Sequence, residues 1–289
     1  MKPATLTLAN FRGGVGKSTV AFNLAYELSA KGRRVLLIDF DPQGNLSYWL
    51  RDPDGIPLKV RSLNERRSIS NVLIPKEASA DPATLEQAAY QTRWEGVSAV
   101  ASNLSFLKAK DSVFYNPFAL SFALDELGEG WDYAIVDTRP DLDMRATNAF
   151  AAADRIILPI RFDASFQEGL SEATEAINDT CSELRLGRKP YKILPAIVRS
   201  TTSRDKRGLS DLDRHLPPSM TFGCSIRDTA KAGESPAEGL ALSEYVREGR
   251  AGSAAAKDYA ALADEVEEWT AELRAERAQA NGKGADHGA

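Results

Sequence analysis

The residues best suited to chemistry stand near the start of the chain: Arg12-Gly13-Gly14-Val15-Gly16-Lys17-Ser18-Thr19. Glycines at this density let successive backbone N–H groups converge on an anion with no Cβ atoms in the way. A helix starting at Lys17 adds the partial positive charge of its N-terminus at the same point. Lys17 brings a full charge for terminal phosphates, and the Ser18 hydroxyl is an oxygen ligand suited to Mg²⁺. Phosphate binding by Gly13, Gly14, Val15, Gly16, Lys17, Ser18 and Thr19 is therefore the first expectation. The competing reading is a glycine-rich turn between a strand and a helix, with no ligand.

Two other places put carboxylates where such a site needs them. The run Arg33 to Asp39 contains four consecutive apolar residues, as a strand buried on both faces would. It ends in Asp39-Phe40-Asp41-Pro42-Gln43-Gly44-Asn45. Trp131 to Thr138 is a second apolar run and ends at Asp137. Ligands of parallel sheets lie beyond the carboxyl ends of the strands. Asp39 and Asp41 thus suggest Mg²⁺ and water chemistry, and Asp137 a place in the metal shell, reached through water in the way of a Walker B acid. Each could instead be a turn former, since aspartate favours turns for local reasons. Arg139 follows directly; it either acts on phosphates, binds a neighbouring acid or points to solvent.

The elements that must position these groups alternate along the chain. Strands are predicted at Thr5–Ala9, Arg33–Asp39, Gly96–Ala101, Trp131–Thr138, Arg155–Ile160, Tyr191–Arg199 and Phe222–Ile226. Helices are predicted at Lys17–Lys31, Leu46–Leu50, Ser68–Ile74, Pro82–Tyr90, Phe118–Leu127, Asp143–Ala153, Ser165–Leu186, Asp205–Leu216 and Ser253–Ala280. Arg51 to Arg67, with Pro53, Gly55 and Pro57, reads as loop. Strands separated by helical segments indicate an α/β fold: a doubly wound, mostly parallel sheet with helices on both faces. The expected organisation is one domain over 1–280 and a polar, disordered tail over 281–289.

Composition excludes several classes. The chain has 289 residues, 43 % apolar and 27 % charged, with a net charge of −5. No apolar run approaches a membrane span, and no secretory leader precedes the first strand, so a cytoplasmic protein is expected. Cys181 and Cys224 are far apart, and only His215 and His287 are present. Neither a disulfide framework nor zinc spacing results. Between Arg185 and Arg214, nine basic residues face three aspartates. That local excess suits either a polyanion or a solvated charged surface.

The loop also resembles the deviant phosphate loop of the ParA/MinD ATPases, with Phe11 where an ordinary P-loop has glycine. The string Ile38-Asp39-Phe40-Asp41-Pro42-Gln43-Gly44-Asn45 resembles that family's second motif. The likeness continues through Asn148-Ala149, Pro159, Gly169 and Ile226-Arg227-Asp228, and covers roughly Pro3 to Trp269. It is closest to the compact ParA-like partition ATPases. Two positions depart from it: Arg12 stands where the family carries a lysine, and Arg139 where it carries a proline. The resemblance implies an ATP- and Mg²⁺-dependent sandwich homodimer, non-specific DNA binding, slow hydrolysis stimulated by a ParB-like adaptor, and nucleoid-associated partition of plasmid or chromosome DNA. It assigns Asp41 to the attacking water, Ser18, Asp39 and Asp137 to the metal, Lys17 to the phosphates and Arg12 to the partner's phosphates. It places the base near Val198 and Arg199. Arg199, Arg204, Lys206, Arg207, Arg214, Arg227 and Lys231 are the candidate DNA contacts. The alternatives are a nucleoid-riding positioner of a protein cargo, such as a carboxysome or chemoreceptor array, and a nucleotide-dependent scaffold that hydrolyses nothing. No membrane partner is expected, because the last helix lacks a basic polar face.

Overall fold

A computed structural model describes residues 2–74, 84–104, 106, 116–141 and 143–285 of the chain. Seven strands form its sheet: β1 (Ala4–Leu8), β2 (Val35–Asp39), β3 (Ala89–Gln91), β4 (Val97–Val100), β5 (Tyr133–Asp137), β6 (Arg155–Ile160) and β7 (Tyr191–Pro195). Their spatial order is β3-β4-β2-β5-β1-β6-β7. Every pairing is parallel except β3 with β4.

The apolar runs are buried on both faces because successive side chains point to opposite sides. On β2, Val35 and Leu37 enter one core and Leu36 and Ile38 another; Tyr133 and Ile135 divide from Ala134 and Val136 in the same way on β5. The first core is closed by α1 (Lys17–Ala30), α2 (Asn45–Trp49), the start of α3 (Leu58–Glu65) and the last helix, Ser253–Ala285. Phe22 of α1 lies edge-on to Trp49 and Trp94, with ring centroids 6.0 and 4.7 Å away. The second core is covered by α4 (Ile69–Leu73), α5 (Leu85–Ala88), α6 (Ala119–Asp125) and α7 (Met144–Ala152). A third packs α7 and α8 (Phe166–Glu183) with α9 (Ser203–His215) against β6 and β7.

Several boundaries differ from expectation. Residues 58–65, read as loop, form the helix α3, whose first residue Leu58 is buried in the first core; its local composition is polar, and packing decides its state. The helix expected over Pro82–Tyr90 is only α5, and the chain continues as the antiparallel edge strand β3. Phe222–Ile226 is not a strand; Thr221 makes a single bridge to Ile193. β7 stops at Pro195 rather than Arg199, since Ile197 takes a left-handed φ of 56°. Two short helices, α10 (Lys231–Ala237) and α11 (Leu242–Arg247), precede the last helix. The last helix, α12, runs to Ala285, beyond the expected limit at Ala280. Residues 286–289 of the expected tail lie outside the described residues.

Candidate functional site

The strand order brings the three motifs together. β5 lies between β1 and β2, so Asp137 is in register with Leu8 on one side and with Asp39 on the other. Beyond those strand ends lies a cavity of about 400 Å³. Gly13 to Thr19 form one wall, and Asp41, Gln43, Thr138, Arg139 and Pro140 contribute to the opposite side.

The loop is shaped for an anion. Gly16, at the N-cap of α1, has φ 92°, where an L side chain is strained. No side chain caps the helix, so its first amides remain available. Asn10 fixes the base of the loop: its Nδ2 donates to Pro159 O at 2.7 Å, and its Oδ1 accepts from Arg12 N at 2.8 Å. Lys17 is 7 % exposed and folds back, donating from Nζ to Asn10 O at 2.9 Å and to Arg12 O at 3.3 Å. Burial lowers the Lys17 pKa, against the pull of Asp137, Asp41 and Asp141.

The three acids differ. Asp39 is buried and structurally engaged: Oδ2 accepts from Ser47 N at 2.8 Å and Ser47 Oγ at 2.6 Å, and Oδ1 from Asp41 N at 3.1 Å. Burial raises its pKa to about 7. Asp41 is half-buried and faces the cavity; its Oδ1 accepts from Gln43 N at 2.9 Å. Asp137 is fully buried, and neither of its carboxylate oxygens has a hydrogen-bond partner among the described residues. Burial and the neighbouring Asp39 push its pKa upward. The Ser18 hydroxyl is near enough to favour the charged form without closing a bond of good geometry. A buried, unpartnered carboxylate is costly unless something completes it. A divalent cation shared with the Ser18 hydroxyl fits there by charge and by oxygen chemistry.

Arg12 and Arg139 lie in different surroundings. Arg12 turns away from the cavity onto the start of α8. It donates to Ser165 Oγ and, from Nη2, to Glu168 Oε2 at 3.2 Å, with Asp163 Oδ1 at 3.9 Å. A Cβ on Gly169 would overlap Arg12 Nε, so only glycine admits the guanidinium there. Arg139 lines the cavity and pairs with Asp141.

A second pocket of about 240 Å³ adjoins the loop through Gly16 and Thr19. Neither Val198 nor Arg199 lines it. The left-handed turn at Ile197 sends Ile197 to the loop, Val198 into the third core and Arg199 outward. Ile197, Arg227 and Asp228 line the pocket instead. The sequence signal that could have found them is the family segment Ile226-Arg227-Asp228.

Of the seven candidate DNA contacts, four are already paired with acids. Arg199 binds Asp228, Arg204 Asp205 at 3.3 Å, Arg227 Asp258 at 2.6 Å and Lys231 Glu234 at 2.5 Å. Carboxylate hydrogen bonds raise the pKa values of Arg199, Arg227 and Lys231. Lys206, Arg207 and Arg214 are exposed on α9 and have no ion pair among the described residues.

A mostly parallel sheet with this loop after β1, an acid at the end of its neighbour β5 and two more at and just past the end of β2, on the far side of β5, defines a P-loop nucleotide-binding protein. Residues 4–186 match the protein-family model described as an AAA domain. The chain is 29 % identical over 273 residues to the chromosome-partitioning ATPase Soj of Thermus thermophilus, covering 92 % of this chain and 96 % of that one. A putative plasmid partition protein of Borrelia burgdorferi, solved with AMPPNP, superposes with a TM-score of 0.68 at 23 % identity, over 89 % of this chain and 97 % of the other. The septum site-determining protein MinD of Pyrococcus horikoshii, solved with Mg-ADP, gives 0.69 at 22 % identity, over 94 % and 98 %. The chain belongs to this AAA-domain family, as a P-loop ATPase of the ParA/MinD type. Among the described residues, no helix is long and apolar enough to cross a membrane.

Proposed function

We propose that this protein hydrolyses ATP with Mg²⁺, pairs into an ATP-sandwich homodimer, binds DNA without sequence preference in that state, and moves plasmid or chromosome DNA with a ParB-like adaptor on the nucleoid. One observation carries the chemistry: Lys17, Ser18 and Asp41 line a single cavity at an uncapped helix N-terminus, and the buried, unpartnered Asp137 directly precedes Thr138 of its wall.

The amides of Gly13 to Thr19 and Nζ of Lys17 bind the phosphates. Ser18 and Asp137 would hold the metal, with Asp39 behind them fixing the turn through Ser47. When bound, Mg²⁺ supplies charge neutralisation at the terminal phosphates. Asp41 orients the water that attacks the γ-phosphorus, releasing ADP and phosphate. The pocket beside Ile197 is the place for the base. Arg12 leaves Ser165 and Glu168 to reach the partner's phosphates when two chains close. A dimer joins two copies of the α9 cations, and two weak patches in one body bind a polyanion far more tightly than either alone.

The test is phosphate release with and without DNA and adaptor, alongside DNA binding in ATP, ADP and no nucleotide. Turnover and ATP-dependent DNA binding are expected, both lost in Lys17→Ala. Full turnover in that variant, or DNA binding indifferent to nucleotide, would refute the reading.

A further inference from the structure

Among the described residues, the arginine that lines the phosphate cavity is Arg139, not the one at the family's lysine position. We propose that Arg139 contacts the terminal phosphate of the bound nucleotide and makes the site distinguish a triphosphate from a diphosphate. This rests on the nucleotide-binding reading above and goes beyond it.

The backbone aims the side chain. Thr138 Oγ1 donates to Leu8 O at 2.7 Å, which ties the end of β5 to the strand that launches the phosphate loop. Pro140 restricts Arg139 to extended conformations, because a helical residue before proline clashes with its ring. Arg139 therefore lines the same cavity as Gly13 to Thr19.

Its hydrogen bonding is incomplete. Nη2 holds Asp141, an acid whose side chain is 49 % exposed, and Nε is buried with no partner among the described residues. A buried guanidinium donor without an acceptor is unfavourable, and a phosphate oxygen would satisfy it. An ion pair to an exposed acid is weak and screened, so exchange of Asp141 for phosphate is easy.

The charge balance of the cavity also calls for it. Asp41, Asp137 and Asp141 all act on Lys17, whose own charge is disfavoured by burial. A triphosphate adds further negative charge to a place with one buried ammonium. With Arg12 held on α8, Arg139 is the remaining cation among the described residues of the wall. An arginine keeps its charge in such surroundings and offers two parallel N–H groups to phosphate oxygens. The contact exists only when the terminal phosphate is present, so its strength appears as a difference between ATP and ADP.

The experiment is a titration of fluorescently labelled ADP and of a non-hydrolysable ATP analogue, both with Mg²⁺, on wild type, Arg139→Ala, Arg139→Lys and Asp141→Asn. For Arg139→Ala we expect the analogue to bind about tenfold more weakly and ADP to change less than about threefold, as for one charge-assisted contact. Arg139→Lys should recover part of the loss. Asp141→Asn should tighten the analogue, since it frees Arg139 and removes a competing charge. Equal changes for both nucleotides, or none, would overturn this inference while leaving ATP binding intact. Wild-type protein that binds neither nucleotide would overturn both readings. The Asp141→Asn arm depends on no loss of side-chain packing at Arg139, so looser analogue binding there counts against the inference even if Arg139→Ala is unstable.

Discussion

Raising the pH should destabilise the nucleotide-free protein through Asp39. The carboxyl is 1 % exposed on a strand facing Asp137, and burial lifts its pKa from 3.8 to about 7. Between those two values the folded state holds a proton that the unfolded state has released. Stability from this group is complete below 3.8 and is lost as pH rises through 7. The full loss is about 4 kcal/mol at 1.36 kcal/mol per pH unit, of which about 2–3 kcal/mol falls between about pH 5 and pH 8. Asp137 and Glu27, also raised by burial, act in the same direction. Against burial, hydrogen bonds hold Asp52 and Glu267 low, so they complete their titration below this window. Urea denaturation at about pH 5 and pH 8 reads the effect; the midpoint should fall by about 0.5–1 M for an m value near 3 kcal/mol/M. Asp39→Asn isolates the group. Its amide places an N–H against Asp41 N or Ser47 N, at a pH-independent cost of about 1 kcal/mol, and removes the titration. The variant should be less stable than wild type at the lower pH and show a shallower decline. Parallel curves for the two proteins would refute the assignment of the slope to this carboxyl.

Gly169→Ala should expel Arg12 from α8, because the new Cβ would overlap its Nε. Losing the exposed pair to Glu168 and gaining helix propensity nearly cancel, so stability should change by less than about 1 kcal/mol. ATP-dependent dimers, measured by light scattering, should tighten several-fold; an unchanged dimer constant would show that the contact with α8 does not compete, and Arg12→Ala should abolish those dimers. Neutralising Lys206, Arg207 and Arg214 together should lower the slope of log affinity for DNA against log salt by up to about 2.7, at roughly 0.9 per phosphate contact. The same treatment of Arg199 and Arg227, already neutralised by Asp228 and Asp258, should change it less.

Much of this molecule was legible in the linear chain. The phosphate loop, the acids that end β2 and β5, and the buried parallel strands depend on local residue types: glycine where φ is positive, apolar runs where both faces are covered. Propensity misread α3 and β3, whose states depend on what they pack against. Strand order was equally invisible, because nothing local says that β5 inserts between β1 and β2 and sets Asp137 beside Asp39. The sequence also could not say which arginine faces the cavity within one chain. Arg12 lies in the motif yet is drawn to Ser165 and Glu168, and Arg139 lies outside it yet faces the cavity. Side-chain direction and charge pairing are set by neighbours distant in sequence, and only the folded chain brings those neighbours within range of one another.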